Sequence, residues 1–352
     1  MDIFSTNVLA KVVERLHTPS SFLLDTFFPN VQTSDKEEIF FDVTDSKPRI
    51  SPFVSPLLPG KVVDSGGYQT KSFKPAYVKD KRRFDANIPY KRVAGEIIGG
   101  SLSPSGRYER ALATTLTDQL ENLTRREEVM AAEILRTGQV VVSGDGYPST
   151  TVNFGRDAAL TKALTGSATW ETAAVNPIND LEDWADLVQT KSGMIAKTVI
   201  MDPEAWKIFR SKDDVKKFLD YRRGTNNTLN VDPIIRGENS KVRYVGSIGD
   251  FDIYVYNDLY INDAGVESKL LPAKTVIMGA KDGLEGTRCY GAIHDEKANW
   301  TAHRYFTKSW VEEDPSVRWL LLQSAPLVVP YRPNASLCVP AGKNGQKPLV
   351  NL

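Results

Sequence analysis

Side chains that could support catalysis are sparse in this sequence of 352 residues. A general base would have to be one of three histidines, His17, His294 and His303. His294 is followed by Asp295, and a histidine held by a carboxylate beside a serine forms a nucleophilic triad. No G-x-S-x-G turn, which presents such a serine, occurs in the chain. A catalytic site around His294 or His303 therefore stays an alternative without a motif to support it.

Motifs for metal ions and phosphates are also incomplete. The acidic run 312–314 lacks the alternating spacing of a calcium loop. Gly60 and Lys61 lack the preceding glycine and the following Ser or Thr of a phosphate loop. The two cysteines, Cys289 and Cys338, form no C-x-x-C pair and suit a reducing compartment. We therefore expect no enzyme and no catalytic, cofactor-binding or metal site.

Composition limits the class of protein further. Apolar residues make up 41% and charged residues 25% of the chain, as in an ordinary globular protein, and its length allows two modest domains or one elaborate domain. The formal net charge is zero, which argues against a nucleic-acid binder that depends on global charge. No basic and apolar leader opens the chain, and no apolar run approaches the roughly 18 residues of a membrane span. We expect a soluble intracellular product.

A long segment at 51–92, which we call the arm, contains five prolines and three glycines. This density of helix breakers leaves no helical apolar period. Runs typical of strands lie on either side of Gly66 and Gly67 and predict a long two-stranded hairpin. Such a hairpin would be largely unburied in a compact monomer, so we expect another chain to cover it.

Charge is unevenly distributed around the arm. Residues 1–46 carry three basic and eight acidic side chains, whereas residues 61–92 carry nine basic and three acidic ones. Neighbouring segments of opposite sign suit head-to-tail contact between copies, because complementary potentials fix their register. Two independently solvated surfaces are the alternative.

The elements around the arm predict an α+β protein. A helix is expected from Pro104 to Thr137 with Gly138 as its stop, and its charged Glu127 argues against a coiled-coil seam. A hairpin at 139–154 should follow. Further elements that we predict are a helix from Thr6 to about Leu16, a short apolar turn at 22–28, a helix capped by Asn179 or Asp180 and ended by Gly193, a helix opened by Asp202 and Pro203, and strands at 198–201, 241–245, 251–256, 275–279 and in the C-terminal third. We expect the six tryptophans to be core residues or interface anchors, and we favour the core.

Several stretches, in this order along the chain, resemble the major capsid protein E family of tailed bacteriophages. They are FLLDTFFPN (22–30), FVSPLLPGKVVDSGGY (53–68), SFKPAYVKDK (72–81), LRTGQVVVSGDGYP (135–148), VNFGRD (152–157), VIMDPEAWKIFRSKDDVKKFLDYRRG (199–224), GLEGTRCYGAIHD (283–295) and QSAPLVVP (323–330). None of them is a chemical signature, and the resemblance rests on their common order over nearly the whole chain.

The resemblance implies a Hong Kong 97-like capsid fold, in which the arm is the extended E-loop. The implied regions are an N-terminal arm at 1–50, the E-loop at 51–92, a peripheral domain at 93–164 and 286–322 with a spine helix at 104–137, and an axial domain at 165–285 and 323–352.

The implied function is that of a major capsid protein. Copies would assemble as hexamers and pentamers into the icosahedral head that encloses the genome, in the cytoplasm of the host bacterium. The basic residues of the E-loop would then contact a neighbouring subunit: Lys71, Lys74, Lys79, Lys81, Arg82 and Arg83. An encapsulin-like nanocompartment, which shares the fold but loads protein cargo, is the alternative.

The resemblance also implies partners. A small decoration protein is expected to stabilise the head, in place of a covalent crosslink through Lys61 or Lys71. Because the chain starts at Met1 with a short arm before the fold, we expect a separate scaffolding protein, together with a portal. Packaged double-stranded DNA would be contacted weakly and without sequence preference.

Overall fold

The computed structural model describes most of the chain. The described residues are 9, 12, 21–36, 38–44, 50–59, 68–85, 87–91, 96, 102–144, 146–217, 241–314 and 317–342. All but Leu9 and Val12 of the helix expected from Thr6 to Leu16, and both glycines at the centre of the expected hairpin, lie outside them.

Four α-helices are defined in the described part of the chain: α1 Phe22–Phe27, α2 Pro104–Thr137, α3 Pro177–Ser192 and α4 Pro203–Ser211. Helix α2, the spine helix, has the predicted bounds. The Ser103 hydroxyl accepts a hydrogen bond from the Gly106 amide at its start, and Gly138 ends it with a φ of 75°. A left-handed residue after the last turn favours glycine, which has no Cβ to clash.

The strands run through both halves of the chain. They are β1 Asn30–Ser34, β2 Ile39–Thr44, β3 Tyr68–Phe73, β4 Val78–Asp85, β5 Gln139–Gly144, β6 Tyr147–Asn153, β7 Thr198–Met201, β8 Val242–Ile248, β9 Phe251–Tyr256, β10 Leu259–Ile261, β11 Glu267–Lys269, β12 Thr275–Gly279, β13 Gly286–Gly291, β14 Phe306–Glu312, β15 Val317–Ser324, β16 Pro326–Pro330 and β17 Ser336–Pro340. Helices and sheets are mixed without regular βαβ alternation, so the predicted α+β class is confirmed.

A five-stranded sheet carries helices α3 and α4. Its order is β17-β12-β7-β9-β8, with β7 and β9 parallel and the other pairs antiparallel. The helices bury Trp184 and Phe209 against it, and Trp170 stacks on Trp184 with ring centroids 5.7 Å apart. Large aromatic rings of this kind supply much of a core's buried apolar area.

The spine helix lies against two three-stranded sheets, β1-β13-β16 and β14-β15-β4. In its first half, a stripe of leucines that includes Leu116 and Leu120 packs on β4 and β15 against Phe84 and Leu322. Its last turns belong to the largest apolar cluster, which includes helix α1 and strand β16. The spine helix therefore joins both sheets into one body.

The prediction of a two-stranded hairpin within the arm is wrong. Strand β3 pairs with β2, which precedes the arm, while β4 pairs with β15 from the C-terminal third. Residues 51–59 form no strand and contain a turn at Pro56 and Leu57. Apolar burial explains the choice of partner: Phe41 and Phe73 join the core from β2 and β3, and Phe84 joins it from β4.

Two smaller predictions also need correction. Helix α3 begins at Pro177 and is capped by Asn176. Proline suits the first helical position, because the amide that it lacks would have no partner within the helix. Asp180, one of the two expected caps, instead accepts a hydrogen bond from the Trp170 indole at 2.7 Å. The expectation of core tryptophans is wrong for Trp300 and Trp310, which are 62% and 36% exposed.

Candidate assembly surface

Residues 50–59, which are the first part of the arm and the residue before it, present apolar side chains to solvent. Phe53 and Leu57 are almost fully exposed, and Ile50 and Leu58 are also exposed. This segment contains a short turn, in which the Leu58 amide donates a hydrogen bond to the Ser55 carbonyl at 2.9 Å. We call residues 50–59 the apolar tip. Several large apolar side chains that are exposed within ten residues indicate an interaction site.

Two of the six basic residues proposed for subunit contact lie at the end of β3. The Lys71 ammonium donates a hydrogen bond to the Asn153 carbonyl at 2.8 Å. The Lys74 carbonyl accepts one from the Tyr147 hydroxyl at 2.6 Å. Both contacts join this end of the arm to the hairpin β5–β6, whose presence at 139–154 was predicted.

Three other basic residues share one face of β4. Lys79, Lys81 and Arg83 alternate with inward residues and are exposed. The Lys81 ammonium lies 3.9 Å from the ring centroid of Trp319. A cation over an indole face is attracted by the ring's quadrupole, so this contact holds Lys81 flat on the sheet.

Arg82 points to the opposite face and is satisfied within its own chain. Its guanidinium bonds both Asp80 carboxylate oxygens, at 2.8 and 2.9 Å. This hydrogen bonding to Asp80 raises the pKa of Arg82. Arg83 pairs with Asp85 at 2.5 Å in a more exposed position. The structure thus groups Lys79, Lys81 and Arg83 and places Lys71, Lys74 and Arg82 elsewhere.

Some acidic side chains of the N-terminal segment make contacts within their own chain. The Asp25 carboxylate pairs with the Arg288 guanidinium at 2.9 Å. The Asp35 carboxylate accepts a hydrogen bond from the Ala302 amide at 2.6 Å. These two carboxylates fasten residues near α1 and β1 to the C-terminal third.

Comparison with known proteins assigns the family. Residues 5–339 match the family described as phage major capsid protein E. The chain belongs to this family. Its members are structural proteins of the phage capsid.

Major capsid proteins of known phages align with this chain over nearly their whole length. The major capsid protein of Escherichia phage N15 is 28% identical over 346 residues, which cover 96% of this chain and 99% of the relative. The major capsid protein of Escherichia phage lambda is 27% identical over the same coverage of both chains.

Solved structures show the same fold. A putative prophage capsid protein from E. coli CFT073 superposes with a TM-score of 0.73 at 24% identity and covers 96% of this chain and 99% of its own. A phage-related protein from Bordetella bronchiseptica superposes with a TM-score of 0.55 at 12% identity, covering 97% and 98%. The predicted Hong Kong 97-like capsid fold is confirmed, and the encapsulin alternative is not favoured.

In this capsid protein, a buried glutamate on the spine helix ties three elements together. The Glu128 carboxylate accepts hydrogen bonds from the Leu23 and Leu24 amides at 2.9 and 3.1 Å, and from the Tyr256 hydroxyl at 2.9 Å. The first turn of α1 and strand β9 are thereby held to the spine helix. Burial outweighs these bonds and raises the pKa of Glu128 to about 7.

The preceding residue, Glu127, is also buried but faces β13. One of its carboxylate oxygens accepts a hydrogen bond from the Tyr290 hydroxyl at 3.1 Å. Burial raises the pKa of Glu127 to about 7, although Arg304 and Arg288 nearby oppose the shift. Sequence reasoning saw Glu127 only as an interruption of an apolar seam. The sequence signal for a buried role was the pair of adjacent carboxylates, Glu127 and Glu128, at the edge of that seam.

The histidines considered for catalysis serve other contacts. The His294 ring packs on Tyr77 with centroids 5.5 Å apart, and His303 bonds the Thr301 hydroxyl at 2.9 Å. The Asp295 carboxylate accepts bonds from the Lys308 ammonium and from the Lys297 amide. His17 and Lys61 lie outside the described residues.

The described residues offer neither a metal site nor a membrane-spanning helix. They contain no group of three or more His, Cys, Asp or Glu side chains that could hold a metal ion. None of their helices combines the length and the apolar character needed to cross a membrane.

Proposed function

We propose that this chain is the major capsid protein of a tailed double-stranded DNA phage and assembles as hexamers and pentamers into the icosahedral head. Its membership of the capsid protein E family over residues 5–339 carries the proposal. The exposed apolar tip supports it, because a surface of this kind needs another chain to cover it.

The four regions expected from the sequence describe how one copy would fit into the shell. The five-stranded sheet with α3 and α4 would be the axial domain around the hexamer and pentamer centres. The spine helix, with the sheet β14-β15-β4, would form the peripheral domain. The arm would reach a neighbouring subunit as the E-loop.

The basic residues of the arm would contact acidic positions on that neighbour. Lys79 and Lys81 fit best, because their ammonium groups are exposed and their contacts within the chain are to aromatic rings, Tyr77 and Trp319. Lys71, Lys74, Arg82 and Arg83 are included in the proposal as secondary contributors. Complementary charge of this kind sets the register and the rate of association more than its final strength.

Charge reversal tests the electrostatic part. Arg82→Glu combined with Arg83→Glu should prevent particle formation at physiological salt, as seen by electron microscopy. Because Arg82 bonds Asp80 in its own chain, the single variant Lys79→Glu should be tested beside it. The charge-matched control is Lys207→Glu with Arg210→Glu on the exposed face of α4. Normal shells from both test variants would reject the contact.

The apolar tip is tested separately. Phe53→Ser with Leu57→Ser should leave the melting temperature of the unassembled protein unchanged, because both side chains are exposed there. The same protein should fail to form shells if the tip packs on a neighbour. Shells of normal yield and stability would show that the tip is not an interface.

Other partners follow from the same proposal. Assembly in the host bacterial cytoplasm would use a separate scaffolding protein and a portal, and a small decoration protein would stabilise the head. Packaged DNA would be contacted without sequence preference. Particles that protect DNA from nuclease would support the phage head, whereas small particles filled with an enzyme would support an encapsulin-like shell. A single monomer band on a denaturing gel would exclude crosslinking between subunits.

A further inference from the structure

The base of the arm contacts one hairpin at several points. We call strand β3 and the following Lys74, residues 68–74, the arm base. The Lys71 ammonium donates a hydrogen bond to the Asn153 carbonyl at 2.8 Å, and the Tyr147 hydroxyl donates one to the Lys74 carbonyl at 2.6 Å. Tyr147 and Asn153 are the first and last residues of strand β6. The arm base is therefore attached to both ends of one strand.

A third contact joins the hairpin β5–β6 to strand β2, which is paired with the arm base. Phe41 of β2 packs on Phe154, the residue after β6, with ring centroids 5.5 Å apart. Both side chains are buried in the largest apolar cluster. A rotation of the arm base against the hairpin would break at least one of these three contacts.

The hairpin in turn is fixed to the end of the spine helix. Strand β5 starts directly after Gly138, whose carbonyl accepts a hydrogen bond from the Phe154 amide at 3.2 Å. The Arg156 guanidinium donates to the Leu135 and Arg136 carbonyls at 2.6 and 2.5 Å. The last carbonyls of a helix lack partners within it and attract cations, so this pairing suits the helix end. A Cβ atom at Gly138 would lie 2.6 Å from that of Arg156, so only glycine allows this close approach.

The two hydrogen bonds of the arm base lie near the surface. Asn153 is exposed and Tyr147 is half-buried. A hydrogen bond in such a position adds little to the free energy of global unfolding, but it can govern a local opening, whose free energy is smaller. Both bonds end on backbone carbonyls, so they fix the path of the main chain. These contacts are therefore better suited to orienting the arm than to holding the fold together.

We propose that the hairpin β5–β6 sets the direction of the arm before assembly, with Tyr147 and Lys71 as the positioning residues. The inference rests on the proposed function, in which the arm contacts a neighbouring subunit. An arm that is already directed loses less conformational entropy when it reaches that neighbour, so subunits associate at a lower concentration. Arg156 connects the direction of the arm to the spine helix, because it holds the hairpin to the last turn of that helix.

The distance between two spin labels tests the direction of the arm in the unassembled subunit. Ser51→Cys and Glu121→Cys place one label on the arm and one on the exposed face of the spine helix, and both native cysteines are buried. Tyr147→Phe should raise the population outside the main distance about two- to tenfold, the change expected for one lost hydrogen bond. Tyr90→Phe, which removes a hydroxyl group from a side chain that is 80% exposed, is the matched control. Equal distance distributions for Tyr147→Phe and the wild type overturn the proposal.

Two substitutions of Lys71 separate the hydrogen bond from the rest of the side chain. Lys71→Met removes the donor to the Asn153 carbonyl and should broaden the distance distribution. Lys71→Arg keeps a charged donor and should retain the wild-type distribution. If both variants broaden the distribution equally, the hydrogen bond is not the cause and the positioning role of Lys71 is rejected.

Assembly of Tyr147→Phe, which changes no charge, tests the consequence. The concentration at which shells first form should rise about two- to tenfold, while the melting temperature of the unassembled protein changes by less than about 2 °C. A lower melting temperature with an unchanged distance distribution would show a merely structural role and overturn the proposal. A broader distribution with an unchanged assembly concentration would reject the role in assembly. Wild-type protein that forms no shells would contradict the proposed function instead, and the distance measurement would still decide what directs the arm.

Discussion

The carboxylate of Glu128 accepts a hydrogen bond from the backbone amide of Leu23 across 105 residues of sequence. Leu24 donates to the same carboxylate, so the first turn of α1 is anchored by a side chain of the spine helix. An N-terminal helical turn has amides without intrahelical partners, and a carboxylate satisfies them better than a neutral group does. The docking of α1 thus depends on one residue far along the chain.

Loss of this carboxylate should release the first turn of α1. Glu128→Ala leaves the two amides without their acceptor, and it leaves the Tyr256 hydroxyl only its longer hydrogen bond to the Asp258 carboxylate at 3.4 Å. We expect the free energy of unfolding to fall by about 2–4 kcal/mol in urea titrations of the unassembled protein. Proteolytic cleavage near α1 should become faster. Glu121→Ala, on the exposed face of the same helix, should change neither quantity.

Stability should depend on pH through the two buried glutamates. Burial raises the pKa of both Glu127 and Glu128 from 4.5 to about 7. The folded state therefore holds protons that the unfolded state has released, and the stabilisation present below pH 4.5 is lost as the pH rises through about 7. The loss is on the order of 3–4 kcal/mol for each carboxyl group, since one pKa unit corresponds to about 1.4 kcal/mol.

Urea titrations between about pH 4.5 and pH 8 measure this dependence. Glu127→Gln and Glu128→Gln should each flatten the curve, because a neutral amide does not titrate in this window. Glu121→Gln should keep the wild-type slope. A wild-type curve that rises toward pH 8 would contradict the predicted direction.

Gly286 should tolerate no larger residue. A Cβ atom at this position would lie 2.1 Å from the Phe27 carbonyl oxygen and 2.5 Å from the Phe28 ring. Gly286→Ala must therefore push the end of α1 away from β13, at a cost of more than about 2 kcal/mol. Gly144→Ala is the control, since nothing lies within 4 Å of its added carbon. Equal melting temperatures for the two variants would show that α1 docks loosely.

Loss of the buried cap Asp202 should destabilise the protein more than loss of an exposed helix cap. Its buried carboxylate accepts hydrogen bonds from the Ala205 and Glu204 amides at 2.8 and 3.1 Å. Asp202→Ala should lower the free energy of unfolding by about 1–2 kcal/mol. Ser103→Ala, which removes the exposed cap of the spine helix, should cost less. Denaturant unfolding of both variants provides the comparison.

Local signals in the sequence predicted the helices well. The spine helix follows its proline start, its leucine stripe and its glycine stop, all of which act within one or two turns. The cap and proline at Asp202 and Pro203 likewise placed α4 correctly. The start of α3 was missed by three or four residues, because Asn176, Asn179 and Asp180 are all suitable caps and only Pro177 singles out Asn176.

Strand partners could not be predicted from the arm alone. Its β3 pairs with β2 because Phe41 and Phe73 bury together with Phe154, and that residue is distant in sequence. The contacts within the candidate assembly surface could not be predicted from the sequence either. The sequence placed Lys81 in a basic segment, but only the fold brings Trp319 beneath its ammonium group.

The contact between α1 and β13 has a consequence for synthesis of the chain. The Arg288 guanidinium bonds the Phe28 carbonyl, 260 residues earlier. At roughly 5–20 residues per second, the ribosome needs about 13–50 s to make the second partner after the first. During that interval the end of α1 and the polar strand β1 lack their final contacts and are exposed to chaperones and to other nascent chains. Segments that are made early in synthesis are therefore among the last to gain their final contacts.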